Sequence, residues 1–161
     1  MVSVCTEYLR GKVAAALGKD ALGQDPQVFD VLKELEKCMA PSSGVLIRSD
    51  TLEYSGQPVR NLDTGINDLK VFDRTVVIDI VLGAPTKAEL DASFETFLLS
   101  LERGIRYKGH YIGISLGEGE WVDRKDSVIK AEIAVELPVT FTGGVYKPKT
   151  YTQIADITLE R

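Results

Sequence analysis

A serine between two glycines gives this chain its one match to a catalytic pattern. Gly113-Ile114-Ser115-Leu116-Gly117 fits the G-x-S-x-G motif, in which the serine occupies a strained turn between a strand and a helix. Glu118 to Asp126 show no helical pattern, and the single histidine, His110, precedes the serine instead of following it. Residues five apart on a strand point to opposite faces, roughly 16 Å apart. The match is therefore predicted to be accidental, with no catalytic residue in it.

Metal and cofactor patterns are equally weak. His110 has no second histidine or neighbouring cysteine with which to complete a metal site, so a surface or turn-proximal position is predicted for it. The oxygen-rich stretch between Asp63 and Asp73 does not match a calcium loop and is typical of turns. A glycine-rich phosphate loop does not occur. The sequence predicts no metal, no cofactor and no enzyme.

Acidic and aromatic side chains cluster around a predicted hairpin tip near Gly119. Carboxylates at such a tip are solvated, and acid–base chemistry needs a pocket that shifts a pKa. Exposed aromatic residues, in contrast, are enriched at protein interfaces. The candidate partner-contact residues are Tyr107, Tyr111, Glu118, Glu120 and Trp121. The alternative for the three aromatic residues is that they cover the second face of the sheet.

Composition indicates one globular domain with a sizeable core. The chain has 161 residues, of which 44% are hydrophobic and 27% charged, and its net charge of −5 argues against binding that neutralises nucleic-acid phosphates. No apolar run is long enough to cross a membrane, and Met1 to Glu7 lack the features of a secretory signal. Cys5 and Cys38 form no metal or redox motif, which favours a reduced, cytosolic site of synthesis.

Two segments alternate as strands of a sheet with one packed face. Val76, Ile78, Ile80 and Leu82 share a face, and Gly83-Ala84-Pro85 ends this run. From Ala131 to Phe141, apolar residues alternate with residues such as Glu132 and Glu136. We expect both segments to be central strands whose apolar face carries the helices.

Three helices are predicted. The first covers Val2 to Leu17 and stops at Gly18. The second has Asp25 as its cap, Pro26 in its first turn and an apolar stripe that runs from Val28 to Met39. The third follows Pro85, with Thr86 and Glu89 forming a capping box and Gly104 as its stop. Its apolar stripe consists of Leu90, Phe94, Phe97, Leu98, Leu101 and Ile105.

The remaining segments are predicted as short strands and loops. Val45 to Arg48 is a short strand, and Ser49 to Asp73 is a long, turn-rich excursion with short strands around Leu52–Tyr54 and Ile66–Val71. Arg106 to Ser115 is one strand, followed by a turn at residues 117–120. Tyr151 to Leu159 is a last edge strand or a segment that orders only against a neighbour.

These elements together predict an α/β (α+β) fold with a single mixed, mostly antiparallel sheet and helices packed on one face. Residues 1–161 form a single domain. It comprises a helical N-terminal part (1–40), a sheet–helix core (45–144) and a C-terminal tail or edge strand (145–161).

The last long strand reads Ala131-Glu132-Ile133-Ala134-Val135-Glu136-Leu137-Pro138-Val139-Thr140-Phe141. Together with the order of the elements, this strand resembles the tail terminator proteins of long-tailed bacteriophages. The resemblance covers the chain from about Val28 to Gly144. It implies a six-membered ring that caps the finished tail tube and faces the head connector. It also implies a protruding hairpin between Ser49 and Asp73 and carries no catalytic residues.

The expected partners follow from that resemblance: other copies of the chain, the tail tube protein and a head-completion or neck protein, without a membrane or sequence-specific nucleic acid. The expected location is the head-proximal end of the virion tail, and the host cytoplasm during assembly. Two alternatives stay open. One is a neck or head-completion protein, and the other is a small binding module or chaperone that grips a partner strand along an open sheet edge.

Overall fold

A computed structural model describes residues 1–19, 22–37, 41–123 and 133–149. The helices in this part of the chain are α1 (Val2–Leu17), α2 (Leu32–Leu35) and α3 (Lys87–Ser100). The strands are β1 (Val28–Phe29), β2 (Ser42–Arg60), β3 (Asn67–Ala84), β4 (Gly104–Tyr107), β5 (His110–Leu116), β6 (Glu120–Asp123) and β7 (Ile133–Lys147).

All seven strands belong to one sheet, in the order β1-β2-β3-β7-β5-β4, with β6 paired to β7. The β1–β2 pair is parallel and every other described pair is antiparallel. The predicted α+β fold with a mixed, mostly antiparallel sheet is therefore confirmed.

The main core lies on the sheet face that α1 and α3 cover. The predicted alternation in β3 is confirmed, because Val76, Ile78, Ile80 and Leu82 are all buried. Their neighbours on β7 follow the same pattern: the buried residues are Val135, Leu137, Val139 and Phe141. The helices contribute a further buried set, comprising Cys5, Leu9, Val13, Leu90 and Phe97.

A second, smaller core lies on the opposite face. Val81 and Ala134 alternate with the residues of the main core, so they point to the other side of the sheet. There they contact Leu35 of α2, which sits directly above Gly44. The prediction that the helices pack on one face is wrong for α2. Val81 of β3 and Ala134 of β7 are apolar residues on the second face, and α2 covers them there.

The first and third helices begin as predicted. Helix α1 ends before Gly18, whose φ of 69° is in the left-handed region. Helix α3 has Thr86 as its cap: the Thr86 hydroxyl accepts from the Glu89 amide and donates to the Glu89 carboxylate. The predicted stop at Gly104 is wrong, because Leu101 is already extended and Gly104 begins β4.

The predicted helix from Val28 to Met39 is also wrong. Val28 packs against the main core, whereas Phe29 packs against the second core. Adjacent side chains reach opposite faces only from extended backbone, so the tertiary contacts override the helical spacing. A single helical turn, α2, forms at Leu32–Leu35, and the predicted cap Asp25 precedes a strand. Cys38 and Met39 lie outside the described residues.

The predicted excursion from Ser49 to Asp73 is largely two long strands. β2 and β3 pair from Ser42 opposite Gly83 to Arg60 opposite Asn67, with register shifts in β2 after Ile47 and after Tyr54. β3 also pairs with β7 as far as Lys147, so hydrogen bonds to a strand on each side keep its polar sequence extended. β2 and β3 thus form a hairpin, with Arg60 and Asn67 as the last paired residues before its turn.

The predicted strand from Arg106 to Ser115 is a hairpin. β4 and β5 are joined at Lys108 and Gly109, whose positive φ values of 50° and 78° are typical of a tight two-residue turn. The predicted turn around Gly119 is wrong, since β5 and β6 both pair with β7 and the chain continues along it without reversing. Ala131, Glu132 and the residues from Tyr151 to Leu159 lie outside the described residues.

Candidate functional site

Beyond the core, the β2–β3 hairpin continues as an arm, residues 49–74. The burial of β2 falls sharply at this point, from buried residues at its start to exposed residues from Ile47 to Tyr54. The inner strand, β3, stays paired to β7, while the outer edge of β2 has no strand partner among the described residues beyond Gly44. This arm exposes more backbone edge than any other described part of the sheet.

The end of the arm is docked on the β4–β5 turn. The Leu62 amide donates to the Gly109 carbonyl at 2.8 Å, and the Asn61 side-chain amide donates to the Lys108 carbonyl at 3.3 Å. An ion pair joins Asp63 of the arm to Arg106 of β4. The arm is therefore anchored at its far end as well as at the core.

Four residues form a buried polar cluster at this junction, which we call the clasp: Asn61, Asp68, His110 and Tyr146. One oxygen of Asp68, Oδ2, lies 2.8 Å from both the Asn61 amide nitrogen and His110 Nε2. The Tyr146 ring stacks on the imidazole with centroids 3.5 Å apart. Of the two predicted positions, surface or turn-proximal, His110 has the second: it directly follows the β4–β5 turn and is only 4% exposed.

The clasp contains an ionised carboxylate. The Asn61 amide and then His110 hydrogen-bond to Asp68, and together they hold the pKa of its carboxyl below the usual value. Because that carboxylate accepts, His110 Nε2 is the donor of their hydrogen bond. Burial raises the pKa of the Tyr146 hydroxyl. The other ring nitrogen of His110, Nδ1, is buried without a hydrogen-bond partner in the described part of the chain. The clasp joins three strands: β3, β5 and β7.

A cleft of about 390 Å³ lies beside the clasp. Its charged lining groups are engaged with neighbours. Arg74 donates twice to Asp50, at 2.8 and 2.5 Å, which raises the pKa of Arg74 and lowers that of Asp50. The Lys108 ammonium lies 5.2 Å from the centre of the Tyr107 ring. The arrangement is suited to holding the arm in place.

The five predicted contact residues do not form one surface. Tyr107 packs against the main core, on the face that α1 and α3 cover, and so it does not cover the second face of the sheet. Tyr111 is exposed on the opposite face of the β4–β5 hairpin. Trp121 is partly exposed and meets the Phe94 ring edge-on at 5.9 Å. Glu118 and Glu120 are exposed where the chain passes from β5 to β6.

The nucleophilic residues have no catalytic geometry. Ser115 lies inside β5, opposite Thr140, and the chain continues into β6 where the serine motif would need a helix. Cys5 is fully buried, and burial raises the pKa of its thiol to about 11. Among the described residues, no three His, Cys, Asp or Glu side chains group as metal ligands do.

An apolar row on the arm was missed by the sequence analysis. Ile47, Leu52 and Tyr54 are 55%, 52% and 79% exposed, and all three point to the face that carries α1 and α3. The Tyr54 ring meets Phe72 of β3 edge-on, with centroids 6.1 Å apart. Leu52 and Tyr54 do alternate in the sequence, but the polar residues around them conceal so short a pattern.

Comparison with known proteins leaves the chain without an assigned family. Neither protein-family models nor curated protein sequences match it. None of the helices in the described part of the chain has the length and apolar character needed to cross a membrane.

Proposed function

We propose that this protein is a structural assembly protein of a long-tailed bacteriophage. In this proposal it is a tail terminator, which forms a six-membered ring on the end of the tail tube and joins the tube to the head connector. Its partners are then other copies of the chain, the tube protein and a head-completion protein. Its location is the head-proximal end of the virion tail.

The arm is the observation that carries this proposal. Beyond Gly44 its outer strand has no strand partner on one edge within the described part of the chain, and this edge lies beside an apolar row of Ile47, Leu52 and Tyr54. Open strands that expose apolar side chains pair with other chains, and monomeric proteins usually shield them. A surface of this kind on one side of a subunit, meeting a different surface on its neighbour, produces a ring when the rotation between copies closes.

The clasp supports the same function. Hydrogen bonds from Asn61 and His110 to Asp68 fix the end of the arm against β5. An arm held at both ends loses little conformational entropy when it contacts a partner, which favours association. A ring subunit needs this rigidity because small errors in the angle between copies prevent closure.

Sedimentation velocity over a concentration series, with and without Mg²⁺, tests the proposal. We expect a discrete species of six copies, and electron microscopy of that species should reveal a ring with a central channel. A monomer at every concentration, which also fails to bind assembled tail tubes, would overturn it.

The second candidate function is a small protein-binding module. The open edge of β2 favours it, because an extended peptide can add to such an edge through main-chain hydrogen bonds. A monomer that binds extended peptides with 1:1 stoichiometry would establish this function in place of the first. A neck or head-completion protein would bind the head connector without binding the tube.

A further inference from the structure

The open edge of β2 is bounded by a groove at its start. β1 pairs with β2 only at Ser43 and Gly44, and the chain then leaves the edge after Phe29. At that point a groove of about 430 Å³ opens beside Ile47, lined also by Val31 and Leu32. A strand entering this groove would continue the line of β1 along β2.

The groove and the arm present apolar side chains on one face, with Asp50 between them. Ile47 lies opposite Ile78, which belongs to the main core, so Ile47 points to the face covered by the helices. Leu52 and Tyr54 point to the same face, further along the strand. The acid between them and the groove, Asp50, is neutralised by Arg74. An added strand therefore needs apolar side chains on that face.

The C-terminal residues 150–161 have this pattern with one exception on each side. In an extended segment, Tyr151, Gln153, Ala155, Ile157 and Leu159 would fall on one side, and Thr152, Ile154, Asp156 and Thr158 on the other. Nine extended residues from Tyr151 to Leu159 would span about 30 Å, which is close to the stretch from Val45 to Tyr54, about 33 Å, although β2 continues to Arg60. The segment is therefore long enough to reach from the groove to Leu52 and Tyr54 with mostly apolar side chains on their face.

The preceding residues lead away from the edge of the same copy. Pro148 lines the cleft beside the clasp together with Lys108 and His110. The backbone of Lys149 hydrogen-bonds to Asp68, which is itself bonded to β5. At Lys149 the chain is thus turned toward the β4–β5 hairpin, whereas the open edge of β2 lies on the far side of the arm.

We infer that residues 150–161 of one copy add as a strand to the open edge of β2 in the next copy. The tail supplies Ile157 and Leu159 to the stripe of Ile47, Leu52 and Tyr54. Donor and acceptor surfaces differ, so the contact is heterologous and repeats from copy to copy. This inference rests on the proposed ring and names the contact that would join its subunits.

Four variants of the full chain test the inference. The edge variant is Leu52→Lys/Tyr54→Lys, and its control is Glu53→Lys, which places a lysine between them on the other face. The tail variant is Ile157→Lys/Leu159→Lys, and its control is Thr158→Lys. Sedimentation velocity should give at least tenfold weaker association for the edge and tail variants than for the wild-type chain and the controls.

Mixing the edge and tail variants distinguishes exchange between copies from a tail that folds onto its own subunit. Each variant alone should sediment as a monomer, but the mixture should form a 1:1 dimer, since it contains one intact tail and one intact edge. Absence of that dimer, or a wild-type chain that never associates, would overturn the inference.

The same experiment separates the inference from the proposed function. If the edge and tail variants still form a six-membered ring, the tail contact is wrong and the ring stands. If the wild-type chain forms open filaments that both variants abolish, the tail contact stands and the terminator function is wrong.

Discussion

His110 and Asp68 are 42 positions apart in the chain, yet His110 Nε2 lies 2.8 Å from the Asp68 carboxylate in a buried site. The pair joins β5 to the far end of β3 and holds the arm against the body of the domain. Asn61 completes the arrangement by donating to the same carboxylate oxygen. This contact fixes the end of the arm against the β4–β5 hairpin.

Substituting Gly109 by alanine should detach the arm. Gly109 has a φ of 78°, and a Cβ there would collide with the Asn61 side chain. Gly65→Ala is the matched control, because its φ is 70° but the nearest atom is 3.9 Å away. We expect about 1–2 kcal/mol of destabilisation for the control, and a further ~1–3 kcal/mol for Gly109→Ala. Urea denaturation measures both, and equal losses would contradict the role of the clasp.

Asp68 should make stability depend on acid pH. Its folded pKa is lowered by hydrogen bonds from Asn61 and His110, so its contribution is fully present above the unfolded value of 3.8. That contribution is lost as the pH falls below 3.8 through the lower folded pKa. The stability difference between wild type and Asp68→Asn should therefore shrink between pH 5 and pH 2, as followed by urea midpoints. A constant difference would show that the charge contributes nothing.

Phe97→Ala should be strongly destabilising, because the ring is fully buried between α3 and the sheet. The expected cost is ~3–5 kcal/mol in the free energy of unfolding. Leu99→Ala on the same helix is the control: Leu99 is 81% exposed, and its loss should change stability by less than about 0.5 kcal/mol. Chemical denaturation of both variants measures the difference. Similar losses would place Phe97 outside the core.

Alanine substitutions at two of the predicted contact residues should have different effects, one on stability and the other on self-association. Tyr107→Ala removes a ring packed against the main core and should lower the unfolding free energy by about 1–3 kcal/mol. Tyr111→Ala removes an exposed ring and should leave stability nearly unchanged while weakening self-association. Thermal melts and sedimentation velocity on the same samples would test this. Unaltered association of Tyr111→Ala would remove that residue from the interface.

The sequence by itself determined the elements with strong local signals. The alternation of Val76 to Leu82 specified a central strand, since side chains on a strand repeat every two residues and one face must be buried. The capping box of Thr86 and Glu89 specified where α3 begins, because both bonds form within one turn of helix. The α+β class follows from such elements.

Only the tertiary structure decided the site. Val28 has helical spacing with later apolar residues, but it packs on the main core while Phe29 packs on the second core. Because these cores lie on opposite faces of the sheet, the two residues form a strand. The arm is polar and rich in turn-forming residues, and it is extended because β7 pairs with β3 from Leu69 onward. His110 and Asp68 carry no local signal for each other, since a hydrogen bond between distant strands depends on how the sheet curls. Long-range pairing set the register and thereby created the clasp and the open edge.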